Sequence, residues 1–444
     1  GDMNGDGIDD FAILSRRGTT GGSELQAYVV FGKTDGFDPD IDLAGLDGTD
    51  GFRFTAPKTD RADPFSDIAS AGDFNGDGLA DLAIGVAGSN AVHVLFGTAQ
   101  GFAADYTPAS LTGANGFTIK SARDSQFGVA MSYGDTNGDG YDDLVVVERY
   151  IVVPAPSDDH YDPQYDYYAW VHTFFGKADG FDAVMAPGDL ASAKVESPTW
   201  FDQFLASVSA AGDINGDGYD DVYMGANYNP AYTVFGGASG PASVSVDLFG
   251  IGLDGNNGFI QQFDGGPVVA IVGDINGDGY DDQVVTDYVS NTTNVMFGHA
   301  GPYHPYINPA DFTIAREQEH TVAIRVSGAG DVNGDGYDDM IIGYGDGDPN
   351  GVAESGQSYV IFGRASGFGT VLDPKAVDGT DGFVINGIAA GDKAGTDVAA
   401  AGDVNGDGFD DLIVGAAFAD PNGNASGQTY ILFGGTFGGS TAPV

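Results

Sequence analysis

Cysteine is absent from the 444 residues, which removes disulfides and thiol catalysis from consideration. Glutamate is scarce. Of 65 acidic residues only six are Glu, at 24, 148, 196, 317, 319 and 354, and the rest are Asp. Asp is a turn former and helix surfaces prefer Glu, so the imbalance speaks for loops and metal chemistry over solvated helices. Cationic residues number 16, and the formal net charge is −49, which opposes nucleic acid or an anionic membrane as a partner. There are two tryptophans, Trp170 and Trp200. No run is apolar enough to insert in a membrane, and no long amphipathic helix is legible, residues 315–322 being the best short candidate. No Gly-x-Ser-x-Gly elbow, His-Glu-x-x-His pair or phosphate-cradling loop occurs, and the six histidines have no partner spacing, so the chain does not read as an enzyme.

What is present, seven times, is the phrase Asp-x-Asn-Gly-Asp-Gly-x-x-Asp, at 2–10, 73–81, 135–143, 213–221, 274–282, 331–339 and 403–411. Position 1 is Asp2, Asp73, Asp135, Asp213, Asp274, Asp331 and Asp403. Position 3 is Asn4, Asn75, Asn137, Asn215, Asn276, Asn333 and Asn405. Position 5 is Asp6, Asp77, Asp139, Asp217, Asp278, Asp335 and Asp407, and position 9 is Asp10, Asp81, Asp143, Asp221, Asp282, Asp339 and Asp411. Calcium wants six to eight oxygens in a flexible shell, often with one backbone carbonyl. Alternating side chains in a tight glycine-rich turn supply them. The carbonyl falls to position 7: Ile8, Leu79, Tyr141, Tyr219, Tyr280, Tyr337 or Phe409. Three carboxylates and one amide face each ion, so about seven Ca2+ are expected. Magnesium keeps its waters, and zinc has neither Cys nor a loop His to bind. One such turn alone would be an ordinary Asp/Asn/Gly turn. Seven full copies point to metal.

Two other calcium motifs fail. An EF-hand needs Glu at position 12 and a following helix, but position 12 is Ile13, Ile84, Val146, Met224, Val285, Ile342 or Val414, and strand-like text follows. The tandem Gly-Gly-x-Gly-x-Asp nonapeptides of β-rolls are absent.

The loops start 57 to 78 residues apart. Around each lies the same series: a short small-residue strand, the loop, an apolar strand, and a third strand ending in Phe-Gly. Those endings are Phe31, Phe96, Phe175, Phe235, Phe297, Phe362 and Phe433. A connector then leads to a fourth strand, often Gly-Phe-x-Ile/Phe, as at 51–54, 116–119, 258–260 and 382–385. Four antiparallel strands repeated seven times make an all-β, seven-bladed β-propeller. It is expected to occupy 1–434 as one domain, with 435–444 as a flexible tail. The chain begins at a metal loop and ends after a third strand. An upstream segment of about 20–30 residues would supply the first blade's inner strand and the last blade's outer one.

The text Gln126-Phe-Gly-Val-Ala-Met-Ser-Tyr-Gly-Asp135, the loops, and Val-Gly-Ala-Ala at 414–417 resemble the FG-GAP repeat family, the propeller of integrin α-subunits and of many bacterial surface proteins. The chain departs from the family at Phe204-Leu205 and Ala394-Gly395, and it lacks the Pro of Gly-Ala-Pro. Calcium loops in all seven units point to a prokaryotic member, so integrin partners are not carried over. The resemblance implies an extracellular adhesion or ligand-binding module, secreted or displayed on a cell surface. Aromatic rings stack on sugar faces, and by analogy of fold propellers usually bind through the loop-rich face, here the one opposite the metal loops, or at the channel mouth. The longest insertion there, 150–168, makes His160, Tyr161, Tyr165 and Tyr167, with Trp200 and Phe201 nearby, candidates for binding a glycan or extracellular protein. Packing between blades is the competing reading of these aromatics, as it is of Tyr303-His304-Pro-Tyr306. A self-associating surface or filament protein and a calcium-dependent polysaccharide-active enzyme are the alternative functions.

Overall fold

Apolar runs bounded by Asp/Gly turns have no period that would hold a helix, and they form strands. In the computed structural model the described residues are 1–19, 22–56, 66–123, 125–152, 166–190, 192–199, 205–226, 230–241, 252–262, 268–287, 292–307, 310–315, 324–423 and 426–437. The fold is an all-β, seven-bladed β-propeller of small sheets. Among the described residues the only helical pieces are three-residue 3₁₀ turns. The short helix candidate at 315–322 falls almost wholly outside the described residues; Ala315 ends a strand.

The chain divides into two compact units. The first, Gly1–Ala211 with Gly218–Gln261 and Pro302–Ile307, holds four sheets. Its second sheet shows the plan: Ser66–Gly72, Asp81–Val86, Ala91–Leu95 and Gly116–Lys120 follow one another across the sheet, all antiparallel. The metal-loop phrase joins the first two strands, and the Phe-Gly connector leaves the third at the same end. The second unit, Gly212–Asp217 with Gln262–Gly301 and Asn308–Val444, holds three sheets. Its last sheet has three strands, Ala394–Gly402, Asp411–Ala416 and Gln428–Leu432.

Four sheets carry a strand that the sequence does not announce. A two-residue strand in the following blade's connector pairs parallel with the outer strand: Arg53 with Asp105, Thr118 with Val184, Ile260 with Tyr306 and Thr313 with Val371. The sheets therefore have three to five strands instead of a uniform four.

Several of the apolar strands after the loops are buried on both faces. Every residue of Asp81–Val86 and of Asp339–Tyr344 is buried. Aromatic triads close the loop end. The Phe of Phe-Gly, the Phe of the outer strand and an aromatic from the next connector pack as Phe96–Phe117–Phe181, Phe235–Phe259–Tyr303 and Phe297–Phe312–Phe368. The last two rings of each triad stack, at 4.8, 4.9 and 4.6 Å. Phe437, in the stretch expected as a tail, completes a similar cluster, tilted against Phe383 at 4.6 Å and stacked on Phe362 at 5.8 Å. Removing the buried Phe312 ring should cost about 3–5 kcal/mol in a denaturant titration. Val371→Ala, at a position 62% exposed, should stay within about 0.5 kcal/mol.

Candidate metal centre

The loop 331–339 shows how the phrase folds. Asp331 caps it: Oδ1 accepts from the amides of Gly334 (2.7 Å) and Asp335 (3.0 Å), and Oδ2 from Gly336 (2.8 Å). Asp335 Oδ1 accepts from Tyr337 N at 3.1 Å. Asp339 is fully buried, its oxygens taking the amides of Val332 (3.0 Å) and Gly363 (2.8 Å). The loops at 2–10, 135–143 and 274–282 repeat the cap, with Gly5, Gly138 and Gly277 each donating to position 1 at 2.7 Å. The division between the two units falls within 213–221, after Asp217. On the second unit's side, Asp213 Oδ1 accepts from Gly216 and Asp217.

Position 9 explains the Phe-Gly signature. The Gly amide donates to a position-9 carboxylate in every blade: Gly32 to Asp10, Gly97 to Asp81, Gly176 to Asp143, Gly236 to Asp221, Gly298 to Asp282, Gly363 to Asp339 and Gly434 to Asp411. A Cβ on Gly363 would stand 2.2 Å from the Asp338 carbonyl oxygen and 2.8 Å from that of Ile275, so no larger residue fits.

Burial pushes these carboxyls up, and the neighbouring position-5 and position-1 carboxylates add to it. Asp81, Asp282 and Asp339 rise to about 8, and Asp143 to about 7. Asp10 rises to about 7 and Asp411 to about 6, chiefly by burial. A group of clustered, desolvated carboxylates is a site that a cation relieves. Buried oxygens without a hydrogen-bond partner point the same way: Asn215 Oδ1, Asn405 Oδ1 and Asp81 Oδ2. Among the described residues no three Asp, Glu or His side chains are already gathered into a cage. The carboxylates instead hold loop amides, and an oxygen that accepts a single amide, as Asp331 Oδ2 does from Gly336, retains a second lone pair. The donor set is all hard oxygen, which fits a calcium-sized dication.

From 73–81 onward each loop also docks on the one before it in the chain, a contact that the phrase itself does not reveal. The residue after Phe-Gly donates its amide to the position-2 carbonyl of the preceding loop, as Lys177 to Phe74 (3.0 Å) and Arg364 to Ile275 (2.8 Å). The position-8 Asp accepts from the preceding loop's position-1 amide: Asp142 from Asp73 (2.7 Å), Asp220 from Asp135 (2.8 Å), Asp281 from Asp213 (2.7 Å), Asp338 from Asp274 (2.9 Å) and Asp410 from Asp331 (2.7 Å). The signal in the sequence is an Asp-Asp doublet ending six loops, with Ala80 as the exception.

The proposed ligand-binding aromatics fare differently. His160, Tyr161, Tyr165, Trp200 and Phe201 lie outside the described residues. Tyr167 belongs to the strand Asp166–Phe174, its backbone paired with Ile151 and Thr199. Trp170 is buried, edge-on to Tyr150 at 4.7 Å, with the Arg123 guanidinium 3.7 Å above its ring. Tyr303 is buried and stacked on Phe259. For Tyr303 the packing reading is correct, and Trp170 is packed as well. The histidines in strands serve structure. Burial lowers His93 to about 4, beside Thr118 Oγ1 at 2.9 Å. Buried Glu148, which desolvation alone would push up, is held well below the usual range by His172, Ser125 and Ser121.

These sheets and loop signatures define a propeller of repeated units. The FG-GAP repeat family matches four of them, at residues 65–101, 204–245, 325–361 and 394–432, so the chain carries FG-GAP repeats. Integrin alpha pat-2 of Caenorhabditis briggsae is 30% identical over 240 residues, which is 51% of this chain and 18% of that protein. Its Caenorhabditis elegans counterpart is 29% identical over 245 residues, again 51% of this chain and 18% of the relative. The match thus spans under a fifth of these curated relatives. A solved structure of BBS1N in complex with ARL6DN, from a mercury-soaked crystal, superposes at a TM-score of 0.40 with 8% identity over 96% of each chain. Among the described residues no helix is long and apolar enough to cross a membrane.

Proposed function

We propose that the chain is an extracellular adhesion or ligand-binding module whose blades are clamped by about seven calcium ions, one per loop. The observation that carries the metal reading is the buried position-9 carboxylate. In Asp339 it is shared between a loop amide and the Phe-Gly amide, and it is raised chiefly by burial, with two further carboxylates of the same phrase adding to it. A dication there neutralises the repulsion and ties the loop to the third strand. The module reading rests on the FG-GAP repeats and the integrin alpha relatives. Extracellular calcium is millimolar, enough to fill weak oxygen sites.

Ligand binding is assigned to the loop face away from the metal loops, where blades present their variable connections. The ligand class is an extracellular protein or glycan. A matrix-protein and glycan array probed with the whole chain tests this. Saturable binding that disappears in EDTA is expected. Equal binding with and without calcium would contradict the clamp, and no binding on any spot would contradict the module reading.

A further inference from the structure

We propose that the first aspartate of the Asp-Asp doublet is a coupling residue, through which neighbouring metal loops fill with calcium together. This rests on the calcium reading and deepens it. In the second unit Asp338 Oδ2 accepts the Asp274 amide at 2.9 Å, and Asp410 Oδ2 accepts the Asp331 amide at 2.7 Å. In the first unit Asp142 holds Asp73 in the same way at 2.7 Å. None of these aspartates is a ligand of its own loop. Each stands between two residues that are, the position-7 carbonyl and the position-9 carboxylate. Loading a loop fixes the backbone on both sides of position 8 and so aims its side chain.

The donating amide belongs to position 1 of the preceding loop, the residue that caps that loop and supplies its first ligand oxygen. The seat is shaped for a carboxylate. A Cβ on Gly330, just before Asp331, would stand 2.2 Å from Asp410 Oδ2, and one on Gly273 the same distance from Asp338 Oδ2. A second contact runs in parallel. The position-7 ring covers the position-4 glycine of the preceding loop: a Cβ on Gly277 would meet the Tyr337 ring at 2.3 Å, and one on Gly334 the Phe409 ring at 2.4 Å.

Ordering one loop therefore pre-orders the loop before it, and the first ion bears an ordering cost that the second is spared. Linkage makes the effect reciprocal. Ala80 is the chain's own control. It offers no carboxylate to Asp2, though its amide still reaches the Asp2 carbonyl at 2.9 Å. The loop 2–10 should fill independently of 73–81.

Native mass spectrometry of the whole chain through a calcium titration counts ions per molecule. The expected wild-type populations avoid intermediate loading relative to independent sites. Asp338→Ala should move them toward the independent distribution and raise the calcium midpoint about tenfold, within the usual range of coupling. Asp338→Asn, which keeps an acceptor oxygen, should retain part of the effect. A merely structural prop would lower the melting temperature equally in calcium and in EDTA and leave the populations unchanged, and that result overturns the proposal. Independent filling in the wild type also overturns it while leaving the calcium reading standing. A chain that binds no calcium at any concentration takes both down. The wild-type populations need no variant, so the test survives an alanine variant that fails to fold.

Discussion

Excess EDTA should lower the melting temperature of this chain by about 10 °C or more, and should invert its pH dependence. The size follows from mass action. A ligand at a hundred times its dissociation constant stabilises by about 2.7 kcal/mol per site, and a chain of 444 residues, with an unfolding entropy of about 2.1 cal/mol/K per residue, shifts by about 1 °C per kcal/mol. About four filled loops already reach that figure. The inversion follows from the position-9 carboxyls. Without metal, Asp81, Asp282 and Asp339 titrate near 8 when folded, against an ordinary 3.8. Between those values the folded chain holds protons that the unfolded chain has released, so stability falls as pH rises from about 4 to about 8. In saturating calcium the same groups must be ionised to bind, and acidification through that window removes the ion. Melting temperature should then rise with pH. Thermal melts at pH 5 and pH 8, with calcium and with EDTA, check both signs. Parallel slopes would sink the assignment of position 9 as a ligand.

Breaking the joint between the metal loop and the Phe-Gly turn should be the most damaging single change. Asp339→Ala strips acceptors from the buried amides of Val332 and Gly363, each worth about 1–3 kcal/mol when left unsatisfied. It also removes the proposed position-9 ligand from that loop. Gly363→Ala attacks the same joint from the other side by driving a Cβ into the Asp338 and Ile275 carbonyls, for about 3 kcal/mol of overpacking. Because both act on one contact, the double variant should cost much less than the sum. Chemical denaturation of the four proteins in calcium gives the coupling energy. Strict additivity would mean that the Gly amide and the carboxylate do not act as a unit.

The strands are legible in the sequence because their cause is local. Ile-Ile-Gly-Tyr after Asp339 and Gln-Ser-Tyr-Val-Ile before Phe362 carry their β-character in their own residues, and both form strands. The Phe-Gly pair visibly recurs, but its reason is not local. The Gly amide serves an aspartate 24 residues earlier at 339 and 33 residues earlier at 143. Asp142, Asp220, Asp281, Asp338 and Asp410 escape notice because a nine-residue phrase directs attention inward, while their partners lie 64 to 85 residues away in the preceding loop. The parallel two-residue strands are hidden for the same reason. Asp105-Tyr106 has no strand signal of its own and is extended only because Arg53 and Phe54 are there to pair with it. Packing is the right reading of Tyr303, but its stacked partner Phe259 is fixed by the sheet and not by any nearby residue.

Ion counting bears most directly on the central claim. The chain, dialysed against buffer containing millimolar calcium and then rapidly desalted, should carry about seven calcium ions per molecule by atomic emission, with magnesium and zinc near zero. Fewer than one calcium per chain would mean that the seven loops are held by their own amides alone, and the calcium clamp would be refuted.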